Sequence, residues 1–237
     1  MIKLRKLKVL LVLSLLINIL IIGVGSLVVS KHGGIVFLEK QLKGLISSQE
    51  YPDYYLQKKD IFETLNHVEH VDKVFVGDSI TDHGEFQEYF VDEVVLNRGI
   101  GEDESEGVLN RIDEVVNRNP KEVFILIGIN DIQSKVEKDI FQKNMEKIVD
   151  SFDKDSTTVV LQSILPINNK AFHNTVSNEK VHQFNEVLQK IAEEKGIQYI
   201  DLHRHFEDEK GQLKKELTVD GIHLNGKGYD IWINNLK

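Results

Sequence analysis

The amino-acid sequence predicts an α/β protein: a three-layer α/β/α sandwich on a parallel five-stranded sheet, preceded by one N-terminal transmembrane helix. Two observations carry the sandwich. From residue 72 onward short apolar runs alternate with amphipathic helical stretches. The runs are apolar throughout rather than at every second position, as strands covered on both faces are. A third observation carries the membrane helix: residues 9–29 form an uncharged 21-residue run rich in Leu, Ile and Val.

In chain order, residues 1–8 are a basic flank. At about 1.5 Å per residue the run at 9–29 reaches the roughly 30 Å of a hydrocarbon core, whereas a signal peptide's apolar region is nearer 7–15 residues. The basic flank stays cytoplasmic, which sends residue 32 onward to the outer side of the cell membrane. The alternative is a cleaved signal and a secreted protein, with small-residue sites at Gly23-Val24-Gly25 or Val28-Val29-Ser30. Residues 30–70 read as a stalk that ends in a packing helix from Asp53 to about Asn66, with Tyr51, Tyr54 and Tyr55 at the domain edge. Residues 71–237 form the globular domain. Its strands are predicted near 73–77, 93–97, 122–127, 157–163 and 197–201, and its helices near 84–90, 104–118, 135–152, 177–195 and 226–236. Pro120 after the second of these helices and Gly196 after the fourth fit as terminators.

Charge and composition narrow the function. Residues 1–31 hold Lys3, Arg5, Lys6, Lys8 and Lys31 with no acid, and this formal +5 leaves −14 on the remainder of a chain whose total is −9. An acidic body argues against a nucleic-acid partner. The chain has no cysteine, which excludes a disulfide framework, a thiolate zinc site and a lipid-modified cysteine.

Four segments could carry chemistry. Val74-Phe75-Val76 stops at Gly77-Asp78-Ser79-Ile80-Thr81, which leaves the Ser79 hydroxyl at a strand's carboxyl end, where function sits in open α/β sheets. In isolation Gly-Asp-Ser also reads as a strand-to-helix connection with a capping side chain. A serine needs a base and an orienting carboxylate, and Asp220-Gly221-Ile222-His223 offers both within one turn. Ester cleavage also needs donors for an oxyanion. The most apolar strand ends in Gly128-Ile129-Asn130-Asp131, whose Asn130 either donates from its amide or caps a turn. The segment Asn97-Arg98-Gly99-Ile100-Gly101-Glu102-Asp103 supplies a backbone N–H.

Taken together and in order, these four blocks resemble those of the SGNH, or GDSL-type, hydrolases over about residues 72–236. The resemblance is strongest to the bacterial branch similar to platelet-activating-factor acetylhydrolase subunits, through Asn97-Arg98-Gly99-Ile100-Gly101 and Gln162-Ser163-Ile164-Leu165-Pro166. It implies a flavodoxin-like fold and a carboxylic ester hydrolase that works through an acyl-enzyme without a metal or other cofactor. Carried over, Ser79 is the nucleophile and an oxyanion donor through its own N–H. Asn130 donates from its side chain, His223 is base then acid, and Asp220 orients His223. The implied substrate is a short-chain acyl ester, often acetyl on carbohydrate, carried on a small molecule or glycan. A lysophospholipase or thioesterase, or a binding module that has lost turnover, are the alternatives.

The family's second block places glycine where this chain has Glu102, with Gly101 one place earlier. Either residue's N–H is a candidate donor, and Glu102 brings a Cβ and a negative charge. Asp103 is expected to brace that loop. Pro166 to Ser177 is a candidate substrate-facing loop. Asp201, His203 and His205 have i, i+2 spacing but read as a solvated strand end rather than a metal site, and His67 and His70 as surface residues.

Overall fold

The computed structural model describes residues 51–65, 68, 70–172 and 176–236, together with Ser14 and Asn18. The chain divides into two compact units, Met1–Glu50 and Tyr51–Lys237. Apart from those two isolated positions, the apolar run at 9–29 and the stalk up to residue 50 lie outside the described residues. Among the described residues no helix is long and apolar enough to cross a membrane.

Five parallel strands, β1 (Lys73–Gly77), β2 (Val95–Gly99), β3 (Glu122–Leu126), β4 (Thr158–Gln162) and β5 (Gln198–Ile200), lie in the order β2-β1-β3-β4-β5. The expected five-stranded parallel sheet is therefore present. Its helices are α1 (Asp53–Thr64), α2 (Ser79–Asp82), α3 (Phe86–Tyr89), α4 (Ser105–Val116), α5 (Ile129–Gln133), α6 (Lys138–Asp150), α7 (Asn169–Phe172), α8 (Asn178–Lys195), α9 (His203–Phe206) and α10 (Gly226–Asn234).

Alternating side chains of the same strand go to opposite faces, and that divides the core in two. Val74, Val76, Val123, Ile125, Val159 and Leu161 join Val108 and Ile112 of α4, Phe141 and Met145 of α6, and Leu188 and Ile191 of α8. Phe75, Phe124, Leu126 and Val160 join Phe86 of α3 and Trp232 of α10. Phe75 stacks between Phe86 at 3.9 Å and Phe124 at 5.0 Å. Each face is closed by helices, which is the third layer the apolar strands demand.

The observed elements depart from the predicted ones, which also lacked the short helices α5 and α7. The strand expected at 93–97 runs two residues later, because Lys73 pairs with Val95 and Gly77 with Gly99. Its polar residues are met locally: Asn97 donates to the Thr81 and Gly84 carbonyls, and Arg98 pairs with Glu114. The helix expected at 84–90 is shortened to α3 (Phe86–Tyr89), and a separate turn of helix, α2, precedes it at Ser79–Asp82. At the far edge, β5 ends at Ile200 and residues 203–206 turn into α9, so His203 and His205 do not share a strand face. The reading of 201–205 as a solvated strand end fails for His203, which is buried. Gly196 does end α8, with φ +65.

Candidate active site

The strands are parallel, so every βα connection emerges on one edge of the sheet. Ser79 follows β1, the Gly101-Glu102 turn follows β2, and Asn130 follows β3. Ser79 is the first residue of α2. The cap is the residue before it: Asp78 accepts the Ile80 N–H at 2.9 Å. The capping side chain and the exposed-edge hydroxyl are thus adjacent residues with separate tasks.

The fourth segment reaches this edge from the end of the chain. Residues 218–224 form a tight loop in which the Thr218 hydroxyl donates to the His223 carbonyl and accepts the Gly221 N–H, while Val219 N–H donates to the same His223 carbonyl. Gly221 sits at φ +98, and a Cβ there would meet Phe172 N at 2.7 Å and Asn168 O at 2.8 Å. The Asn168 N–H donates to Gly221 O at 2.7 Å. Residues 168–172 therefore pack against this loop, with Ile167 buried before them, while residues 173–175 of the expected substrate-facing loop lie outside the described residues.

The loop aims two side chains at Ser79. His223 Nε2 lies 2.9 Å from Ser79 Oγ, and His223 Nδ1 lies 2.6 Å from Asp220 Oδ2. The Asp220 Oδ1 accepts the N–H groups of Ile222 at 3.0 Å and His223 at 2.8 Å. Burial raises the Asp220 pKa, but the imidazole and the two backbone amides outweigh it and hold the carboxyl below its ordinary value. A carboxylate fixed this way selects the tautomer in which Nδ1 carries the proton, leaving Nε2 to accept from the serine.

Around the β2 and β3 ends a buried network braces the loops. Asp103 pairs with Arg111 at 2.8 Å, and Arg111 also donates to Gly77 O at 3.2 Å. Asn130 Nδ2 donates to Asp103 O at 2.9 Å, so one amide hydrogen holds the neighbouring turn and the second has no acceptor among the described residues. Ile100 N–H reaches Gly77 O at 3.0 Å. The turn after β2, the nucleophile turn and Asn130 are thereby cross-linked. Gly101 and Glu102 divide clearly. Gly101 N–H donates to Asp82 Oδ2 at 3.3 Å. Glu102 adopts φ +64, and its N–H, like that of Ser79, has no acceptor among the described residues. Glu102 thus takes the left-handed conformation for which a glycine would be easiest.

Sequence reasoning did not single out Asp82, which gathers Tyr54 Oη at 2.5 Å and Lys58 Nζ at 2.7 Å as well as Gly101 N. The Tyr54-x-x-x-Lys58 spacing on α1 was the available signal. Asp78 and Asp131 are fully buried beside Asp103. Burial, with the mutual repulsion of these acids, pushes Asp78 up to about 7. Among the described residues the group of three side chains able to ligate a metal, His182, His203 and Glu207, shares no member with these.

Comparison with known proteins finds relatives that match parts of this chain. The isoamyl acetate-hydrolyzing esterase of Saccharomyces cerevisiae is 33% identical over 60 residues, 25% of each chain. An N-acylneuraminate cytidylyltransferase of Streptococcus agalactiae is 24% identical over 124 residues, 52% of this chain and 29% of its own length. These matches therefore span only about a quarter of the length of the curated relatives. A Streptococcus pneumoniae structure assigned provisionally to platelet activating factor is 29% identical with a TM-score of 0.72, covering 85% of this chain and 95% of its own. The family match runs over residues 75–231, from the middle of β1 into α10, and so takes in Ser79, Glu102, Asn130, Asp220 and His223: the chain belongs to the GDSL-like Lipase/Acylhydrolase family.

Proposed function

We propose that the protein is a serine esterase that hydrolyses short-chain acyl esters, acetyl above all, on small molecules or carbohydrate. The observation that carries this is the continuous relay from Asp220 Oδ2 through His223 to Ser79 Oγ, at 2.6 and 2.9 Å. Ser79 Oγ attacks the ester carbonyl carbon as its proton passes to His223 Nε2. The N–H groups of Ser79 and Glu102 and the second Asn130 amide hydrogen stabilise the oxyanion. The imidazolium returns the proton to the departing alcohol, leaving the acyl group on Ser79. Water, deprotonated by the same Nε2, then releases the acid. The acetate-ester relative supports the short-acyl preference.

The test is hydrolysis of p-nitrophenyl acetate, butyrate and octanoate by the chain and by Ser79→Ala. A loss of about 10³-fold or more in the variant is expected, given the cost of removing a triad member. Equal rates would leave only a binding module, and preference for octanoate would replace the acetyl reading by a lysophospholipase or thioesterase. The uncharged run at 9–29 and its basic flank support a membrane anchor with this domain outside the cytoplasm. Protease treatment of intact cells should then release the acidic domain, and protection from it would reverse that topology.

A further inference from the structure

At the far edge of the sheet, His182 of α8, His203 of α9 and Glu207 just after it bring one ligating atom each to within 4.8 Å of one another. His203 is 4% exposed, and its Nδ1 lies 2.9 Å from Ile164 O. A carbonyl can only accept, so Nδ1 carries the proton and Nε2 presents a lone pair. That Nε2 is buried without a hydrogen-bond partner among the described residues, and 3.4 Å from it stands Glu207 Oε2, another acceptor. Two acceptors facing each other need a cation between them, either a proton or a metal ion. Burial, the largest influence, and the neighbouring His182 push the His203 imidazole toward its neutral form, against Ile164, Glu207 and Asp201.

The surroundings favour a cation with more than one bond to make. The three side chains line a cleft of about 200 Å³ with Glu186 and Asp201 also on its wall, and Arg204 is the one arginine or lysine lining it among the described residues. Arg204 Nε is turned to His205 Nε2 at 3.1 Å. Donors of two imidazoles and a carboxylate suit zinc-class ions rather than magnesium or calcium, which prefer oxygen alone. Ligand atoms around a tetrahedral ion with bonds of about 2.0–2.1 Å stand roughly 3.3 Å apart. The 3.4 Å between His203 Nε2 and Glu207 Oε2 already matches that edge. The exposed His182 can turn to complete it.

We propose that His182, His203 Nε2 and Glu207 bind one divalent transition-metal ion of the zinc class, with a fourth position left to solvent. The Nδ1–H to Ile164 carbonyl bond is the support that fixes a metal-binding imidazole's orientation. Ile164 begins the segment whose Asn168 holds Gly221. The ion would thus tie α8 and α9 to the layer beneath the catalytic loop. The proposal stands independently of the ester chemistry at Ser79.

The probe is zinc chloride alone, titrated into the full chain in competition with a chromogenic chelator, with cobalt(II) absorption reporting coordination number. One equivalent should bind, with an intense tetrahedral cobalt spectrum and a raised melting temperature. His182→Ala, at an exposed position, and Glu207→Gln should each weaken binding at least tenfold and abolish the thermal shift. His203→Asn keeps a donor for Ile164 and removes only Nε2, and should do the same. His223→Ala should bind as the unaltered chain does. Unchanged affinity in His182→Ala and Glu207→Gln, loss of binding in His223→Ala, or no binding at micromolar zinc would each overturn the site.

Discussion

Glu102 combines two features that glycine would avoid, a backbone at φ +64 and a carboxylate beside the expected oxyanion. Two substitutions separate them. Glu102→Ala removes the charge and keeps a Cβ in the left-handed region, which costs about 1–2 kcal/mol relative to glycine. Glu102→Gly removes both. If charge limits the rate, both variants should hydrolyse p-nitrophenyl acetate several-fold faster. If strain limits it, only Glu102→Gly should. A large loss in both would show the carboxylate itself takes part. Asp78 gives a second residue-scale prediction. Its folded pKa, up at about 7, exceeds its ordinary value of 3.8, so the folded protein holds this proton more tightly than the unfolded chain. The stability it contributes is complete below about pH 4 and is lost as pH rises through 7. Asp78→Asn keeps an oxygen for the Ile80 N–H and cannot ionise. Denaturant melts should show the variant gaining on the unaltered chain between pH 4 and 7.5, by an amount on the order of a few kcal/mol. A constant difference across that range would remove Asp78 as the titrating group.

At the scale of elements, the loop 218–224 decides whether the histidine reaches the serine. Its conformation depends on Gly221, which has φ +98 and is pressed against the backbone of Asn168 and Phe172. Gly221→Ala should displace Asp220 and His223 together. A shift of about 1 Å in a reacting group can cost roughly 10²-fold, so kcat/KM for p-nitrophenyl acetate should fall by about that factor while the far-ultraviolet circular dichroism stays unchanged. Retained activity would show that the loop accommodates a methyl group. The Asp-x-x-His pattern was legible in sequence because three residues in one turn suffice to point an acid and an imidazole the same way. The dependence on residues 168–172 was not, because it is a backbone contact between segments about 50 residues apart and leaves no periodic trace. The burial of His203 was not legible for a different reason. The 201–205 spacing suggests a strand only if the strand continues, and β5 stops at Ile200, where Leu202 and Phe206 turn inward to join Trp232.

On the scale of the whole molecule, the sheet was readable because strands buried on both faces carry their own apolar signature. The β2 edge was not, since Asn97 and Arg98 are satisfied by α2 and α4 rather than by apolar neighbours. That edge is also where α1 earns its place in the domain. Tyr55 donates to Gly107 O at 2.8 Å, Arg118 donates to Phe62 O at 3.0 Å, and the Arg98 guanidinium lies 4.5 Å from the Phe62 ring. Tyr55 and Phe62 bury Ile100, the residue before Gly101-Glu102. A domain boundary at residue 71, as composition alone suggests, would strip this cover. A chain beginning at Tyr51 should therefore melt as one cooperative unit and hydrolyse p-nitrophenyl acetate like the full-length protein. A chain beginning at Val71 should lose several kcal/mol, since it exposes Ile100 and leaves the buried Arg98–Glu114 pair open to water. It should also lose activity ahead of unfolding, because Asp82 loses Tyr54 and Lys58 and the turn that presents Glu102 loosens first. Equal stability and rate in the two chains would place α1 outside the folded unit.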